Sequence, residues 1–125
     1  MAAGAGSTHW VIPDGYIPEK SAGELTSHES VCVLNTGFED AQLVFTIYFE
    51  DREPLESIGV IVPGRRTKHI RTSSLVKDGE TITAGVPYAI EIESDVPVIV
   101  QYSRLDATQA ENALMSTMAY PVKGG

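Results

Sequence analysis

The densest run of chemically capable side chains is Arg65-Arg66-Thr67-Lys68-His69-Ile70-Arg71, which holds four of the nine Lys and Arg residues of the chain. Guanidinium groups grip a carboxylate or phosphate through two parallel hydrogen bonds, so the run is a candidate anion site. If it is extended it splits in two, because successive strand side chains leave opposite faces. Arg65, Thr67, His69 and Arg71 then share one face, and Arg66, Lys68 and Ile70 share the other. Pairing with nearby acids, such as Glu91 or Glu93 or those of a neighbouring subunit, competes with ligand binding as a use for these charges. A second polar cluster, Arg104, Asp106, Gln109, Glu111 and Asn112, leaves an apolar run near the end and could line a pocket at one end of the fold. Its plainer use is turn chemistry, since Asp106 and Asn112 can bond their own backbone.

Catalytic and metal signatures do not appear. His9, His28 and His69 are too scattered for metal-ligand spacing, and His28 and Glu29, adjacent on an extended segment, point to opposite faces. No G-x-S-x-G elbow, Walker loop, C-x-x-C pair or Rossmann glycine pattern occurs. The reading is a non-enzymatic binding protein with no metal and no cofactor. Cys32, the single cysteine, cannot close an intrachain disulfide and is expected to be buried as a small hydrophobe in Val31-Cys32-Val33-Leu34.

Net charge is −8, and removing the four clustered positive charges leaves −12 on the remainder. That field repels nucleic acid and anionic lipid, so nucleic acid ranks behind other partners. The start of the chain carries no secretion signal and no apolar run approaches the ~18 residues of a membrane span, which points to a cytoplasmic protein without membrane insertion.

The elements that would position these groups are strands. Leu43, Phe45, Ile47 and Phe49 alternate onto one face, as do Tyr88, Ile90 and Ile92, with Glu91 and Glu93 toward water. Turn signals recur at Asn35-Thr36-Gly37, Asp51 to Pro54, Pro63-Gly64, Lys77-Asp78-Gly79, Gly85 to Pro87 and Ser94 to Pro97. The expectation is an all-β, antiparallel, jelly-roll-like sandwich spanning residues 9–120, with loose ends at 1–8 and 121–125 and at most one helical turn, near Ser73 to Lys77. Pro63-Gly64 is expected to close a hairpin between Ile58 to Val62 and Arg66 to Arg71, with glycine taking the positive φ. Residues 109–120 read either as a helix, from the helix formers of Ala110 to Met115, or as a turn through Asn112 and then a strand, of which the second is favoured. Val31 to Leu34, Ile58 to Val62 and Val98 to Tyr102 look apolar on both faces, so the outer apolar side chains are expected to be covered by further copies of the chain.

Gly15-Tyr16-Ile17-Pro18, Ser27 to Asn35, Arg65 to His69, Arg104-Leu105-Asp106 and Gln109 to Leu114 occur in an order that resembles the Anabaena sensory rhodopsin transducer family. The resemblance covers roughly His9 to Tyr120. It implies a β-sandwich subunit of a soluble homotetramer, the cytoplasmic partner of a seven-helix retinal photoreceptor or a similar membrane sensor. It also implies likeness to small-ligand or carbohydrate-binding modules, which makes a sugar or anion site the alternative function. An acidic soluble protein suits the Lys- and Arg-rich cytoplasmic loops of membrane receptors.

Overall fold

The computed structural model describes residues 4–19, 27–106 and 113–123. Its elements are β1 (Ser7–Gly15), β2 (His28–Asn35), β3 (Ala41–Phe49), β4 (Leu55–Val62), β5 (Arg66–Arg71), a 3-10 turn (Thr72–Ser74), β6 (Val76–Lys77), β7 (Glu80–Thr81), β8 (Tyr88–Asp106), β9 (Ala113–Met118) and β10 (Tyr120–Pro121). All pairings are antiparallel, and the fold is the expected β-sandwich.

β8 organises both layers. Its first half sits between β1 and β3, with Ile12 and Ile47 both opposite Ile90, while β4 flanks β3 and β10 flanks β1. Its second half sits between β2 and β9, with Val33 opposite Val100 and Tyr102 opposite Thr117, and β5 flanks β2. The first layer therefore runs β10-β1-β8-β3-β4 and the second β5-β2-β8-β9. Period-two alternation turns Leu43, Phe45, Ile47, Ile90 and Ile92 from one layer against Val31, Val33, Val98 and Val100 from the other, all at 1% exposure or less. Trp10 is buried beside them and donates its Nε1 to Ser7 O and Val98 O at 3.0 and 3.1 Å, which ties β1 to the bend of β8.

Several expectations need correction. Pro63-Gly64 does not close a hairpin: β4 pairs with β3 and β5 with β2, so the turn carries the chain from the edge of one layer to the edge of the other. Gly64 is not the residue with positive φ; Arg65 is, at 59°. Gly64 is needed for closeness instead, since a Cβ there would come 2.2 Å from Phe38 O. The corner is held by Arg65 N to Gly37 O at 2.8 Å and Gly64 N to Asp40 Oδ1 at 3.0 Å. By contrast Asp78 and Gly79, both at positive φ, do close a two-residue hairpin between β6 and β7.

Cys32 is half-buried rather than buried, because alternation sends Val31 and Val33 inward and Cys32 and Leu34 outward. β4 is apolar on both faces from Ile58 to Val62, as expected: Ile58, Val60 and Val62 pack inward, and Gly59 and Ile61 look out. Three residues of the segments 1–8 and 121–125 lie in strands, Ser7 and Thr8 in β1 and Pro121 in β10, and Val122 N donates to His9 O at 2.9 Å. The helical turn falls at Thr72–Ser74, and residues from Ala113 onward form the expected strand; the turn at Asn112 lies outside the described residues.

Candidate functional site

The polar centre of the molecule is a residue whose role the sequence reading missed. Glu29 follows the inward alternation of Val31, Val33 and Asn35 and is 0% exposed. Its carboxylate accepts from Tyr16 N at 3.0 and 3.2 Å, from Arg104 Nε at 2.5 Å and from the Tyr88 hydroxyl. Each donor arrives by design of the backbone. β2 and β8 place Glu29 directly opposite Arg104. β1 ends at Gly15, where a Cβ would strike the Tyr88 ring at 2.4 Å, so glycine lets that ring lie across the strand and reach Glu29. Thr72 Oγ1 sits 3.0 Å from the Tyr88 hydroxyl, and Arg104 donates an Nη2 hydrogen to Tyr102 OH at 3.3 Å. Burial pushes the Tyr88 and Tyr102 phenols well above their usual range, and the bond to Glu29 adds to this for Tyr88. Four donor contacts saturate the carboxylate, which makes Glu29 a structural clasp across β1, β2 and β8 rather than a general base.

Arg104 also borders a cavity of about 410 Å³ between β1 and β9, where the chain crosses layers at Ala119. Val11, Ile12, Met115 and Met118 supply apolar wall, and Asp14, Tyr102 and Arg104 supply polar groups. Of the predicted pocket residues, then, Arg104 does line a cavity. Asp106 ends β8 opposite Ala113, and Gln109, Glu111 and Asn112 lie outside the described residues.

The basic run does not join this cavity. β5 is an edge strand, and β2 separates it from Arg104. Arg65, Arg66, Lys68, His69 and Arg71 are exposed along that edge. Arg66 and Lys68 follow the same side as buried Ile70, and His69 and Arg71 the other, as alternation requires. They do not pair with Glu91 or Glu93, which belong to the first layer. Their contacts are local: Arg65 Nη1 to Thr36 O at 2.9 Å and over the Phe38 ring, and Lys68 Nζ to Ile61 O at 3.3 Å. Among the described residues the ion pairs are Glu29 with Arg104 and Glu91 with His9.

That second pair lies on the outer face of the first layer. His9 Nε2 is 2.6 Å from Glu91 Oε2, and Tyr48 OH donates to Oε1 at 2.5 Å. The bond from Tyr48, then that from His9, holds the Glu91 carboxyl below its usual range, and the same bond pushes the Tyr48 phenol up to about 12. Among the described residues no group of three or more His, Cys, Asp or Glu side chains is placed to hold a metal ion.

Comparison with known proteins decides the family. The family described as Anabaena sensory rhodopsin transducer matches residues 5–121. The chain belongs to this family. A solved structure of the Anabaena sensory rhodopsin transducer is similar at 45% identity and TM-score 0.72, over 85% of this chain and 94% of that one. The crystal structure of Thermotoga maritima 1070 is similar at 40% identity and TM-score 0.84, over 96% and 98% of the two chains. No curated protein matches. Among the described residues no helix is long and apolar enough to cross a membrane.

Proposed function

We propose that this transducer-family protein is a non-enzymatic signalling adaptor of the cytoplasm that docks, as an assembly of copies, on the cytoplasmic loops of a retinal photoreceptor or similar membrane sensor. The observation that carries the reading is the 45% identity to the Anabaena sensory rhodopsin transducer over nearly all of that chain. The surface supports self-assembly. On the outer face of the second layer, register aligns Met118 with Gln101 and Cys32, and Leu114 with Leu105 and His28, while Leu34 and Ile99 lie opposite each other. These strands present Leu34, Leu114 and Met118 at 40%, 75% and 54% exposure, with serine and glutamine between them and no acid. Apolar faces depleted of charge are what subunit interfaces use. The family resemblance suggests four subunits.

Light scattering tests the assembly: a mass of several subunits is expected, and Leu34→Glu should lower it. Co-purification with a retinal receptor tests the docking. Retention that falls as salt rises supports the adaptor, and no retention at any salt overturns it. A second reading, a small-molecule module, draws on the cavity beside Arg104. A thermal-shift screen of sugars and small anions checks it, with a concentration-dependent rise expected for a ligand and a flat screen counting against it.

A further inference from the structure

The outer face of the first layer is built unlike the rest of the surface. Three rows cross it in register: His9, Glu93, Val44 and Gly59; Val11, Glu91 and Thr46; Ala89 and Tyr48. Val44, Tyr48 and Ile61 are 44%, 41% and 49% exposed, so apolar side chains lie open on this face of the sheet. Glu56, Glu91 and Glu93 all act on Tyr48 electrostatically, which places three carboxylates around it. None of the strand segments of this layer, residues 7–15, 41–49, 55–62, 88–94 and 120–121, contains Lys or Arg. Arg66, Lys68, Arg71 and Arg104 all lie in the other layer.

Gly59 supplies an independent observation. It faces outward beside Val44, its φ is not in the left-handed region, and a Cβ there would meet nothing within 4 Å. Nothing inside the chain therefore requires glycine at this strand position. A strand glycine often marks a bulge or a place where a ligand or another backbone comes close; the bulge of this strand pair lies at Glu56 and Ser57, and Gly59 is regularly paired beyond it, opposite Val44.

We infer that this acidic, glycine-notched sheet face is the docking surface for a basic segment with an apolar anchor, borne by the partner protein. The inference rests on the adaptor reading and names the face that performs it. Cations on the segment meet Glu56, Glu91 and Glu93, and its apolar side chains cover Val44, Tyr48 and Ile61. Four strands span about 15 Å and the nine-residue β3 about 27 Å along its length, enough for four or five turns of a helix of ~10 Å diameter. A two-fold contact between copies through this face is disfavoured, because it would bring like carboxylates together. Lipid is excluded by the same sign of charge.

The test uses the full nitrogen-15-labelled chain and a synthetic leucine-lysine peptide of about 18 residues, patterned as an amphipathic helix. Amide shifts are expected at Val44, Thr46, Tyr48, Gly59, Glu91 and Glu93. Gly59→Trp and Glu93→Lys should each weaken peptide affinity at least tenfold with an unchanged circular dichroism spectrum. Glu53→Lys, an equal charge change outside the strands, should alter affinity less than twofold. Shifts centred on β2, β5 or β9, or wild-type affinity in both face variants, would overturn the inference. So would a lower oligomer mass for Gly59→Trp, which would make this face an interface between copies. If a receptor retains the protein and Gly59→Trp is retained equally, the adaptor stands and the face assignment falls; if no receptor binds but the peptide maps here, the reverse holds.

Discussion

Breaking the Glu29 clasp should cost more than any other polar change in the molecule, and the two ends of its ion pair should not cost the same. Glu29 is fully buried, whereas the Arg104 side chain keeps 26% of its surface in water. Replacing Arg104 with Met leaves a buried carboxylate with neutral donors, the Tyr16 amide and the Tyr88 hydroxyl, and no positive charge, a loss of about 4 kcal/mol on the scale of broken buried pairs. Glu29→Gln keeps an acceptor for those donors and leaves an arginine that can recruit water, so about 2 kcal/mol is expected. The double variant should cost at least ~1.5 kcal/mol less than the sum, because neither charge is then left alone. Trp10, the single tryptophan, is 5% exposed and reports unfolding in urea by fluorescence. At fixed protein concentration, the loss for Arg104→Met corresponds to a fall of roughly 12–20 °C in the thermal midpoint for a chain of this size. The reasoning is refuted if Glu29→Gln proves costlier than Arg104→Met, or if both stay within about 0.5 kcal/mol of the parent, the range of ordinary surface changes.

Other expectations test other parts of the fold. Asn35→Ala removes donations to Glu39 O at 2.8 Å and Val62 O at 3.1 Å and the acceptor for Gly37 N, so the buried β2–β3 corner should lose about 2–3 kcal/mol by urea denaturation. Phe45→Ala, at 0% exposure, should cost about 3–5 kcal/mol in the same assay. Spectrophotometric titration should find Tyr48, Tyr88 and Tyr102 still un-ionised at pH 10, since Tyr48 is pushed up to about 12 and the other two are raised further. A tyrosine whose folded value is raised stabilises the fold fully below its ordinary value and loses that contribution as pH climbs through the folded one, so Tyr48 helps below pH 10 and fades toward pH 12. Glu91→Gln should bring the Tyr48 titration back toward its ordinary value. Glu91 itself, held below its ordinary value, contributes above about pH 4.5 and loses that contribution as pH falls below it; the pair is half-buried on the outer face and still in reach of water, so the loss in acid should be under about 1 kcal/mol, measured as the difference between parent and Glu91→Gln.

Sequence alone determined whatever depends on local periodicity and chain composition. Alternation in Leu43 to Phe49 and Tyr88 to Glu93 assigned strand, face and burial, because a strand has only two sides and one is taken by the core. The same rule carried an unused signal: Glu29 shares its parity with Val31, Val33 and Asn35, so an inward carboxylate was legible before its donors were known. The order of short motifs was enough to indicate the family.

Pairing could be decided only by tertiary structure, because a strand edge bonds whichever edge reaches it and adjacency in sequence is just one way to bring edges together. Hence Pro63-Gly64 looked like a hairpin and is a crossing between layers, since Gly64 must pass within a methyl group of Phe38 O. Equally non-local is the clasp of Tyr16, Glu29, Tyr88 and Arg104, whose members come from positions as far apart as the residue after β1 and the second half of β8. The gathering of strand cations onto one sheet, leaving the other with none, has the same origin: charge is counted along the chain, but a field is set by which strands lie side by side.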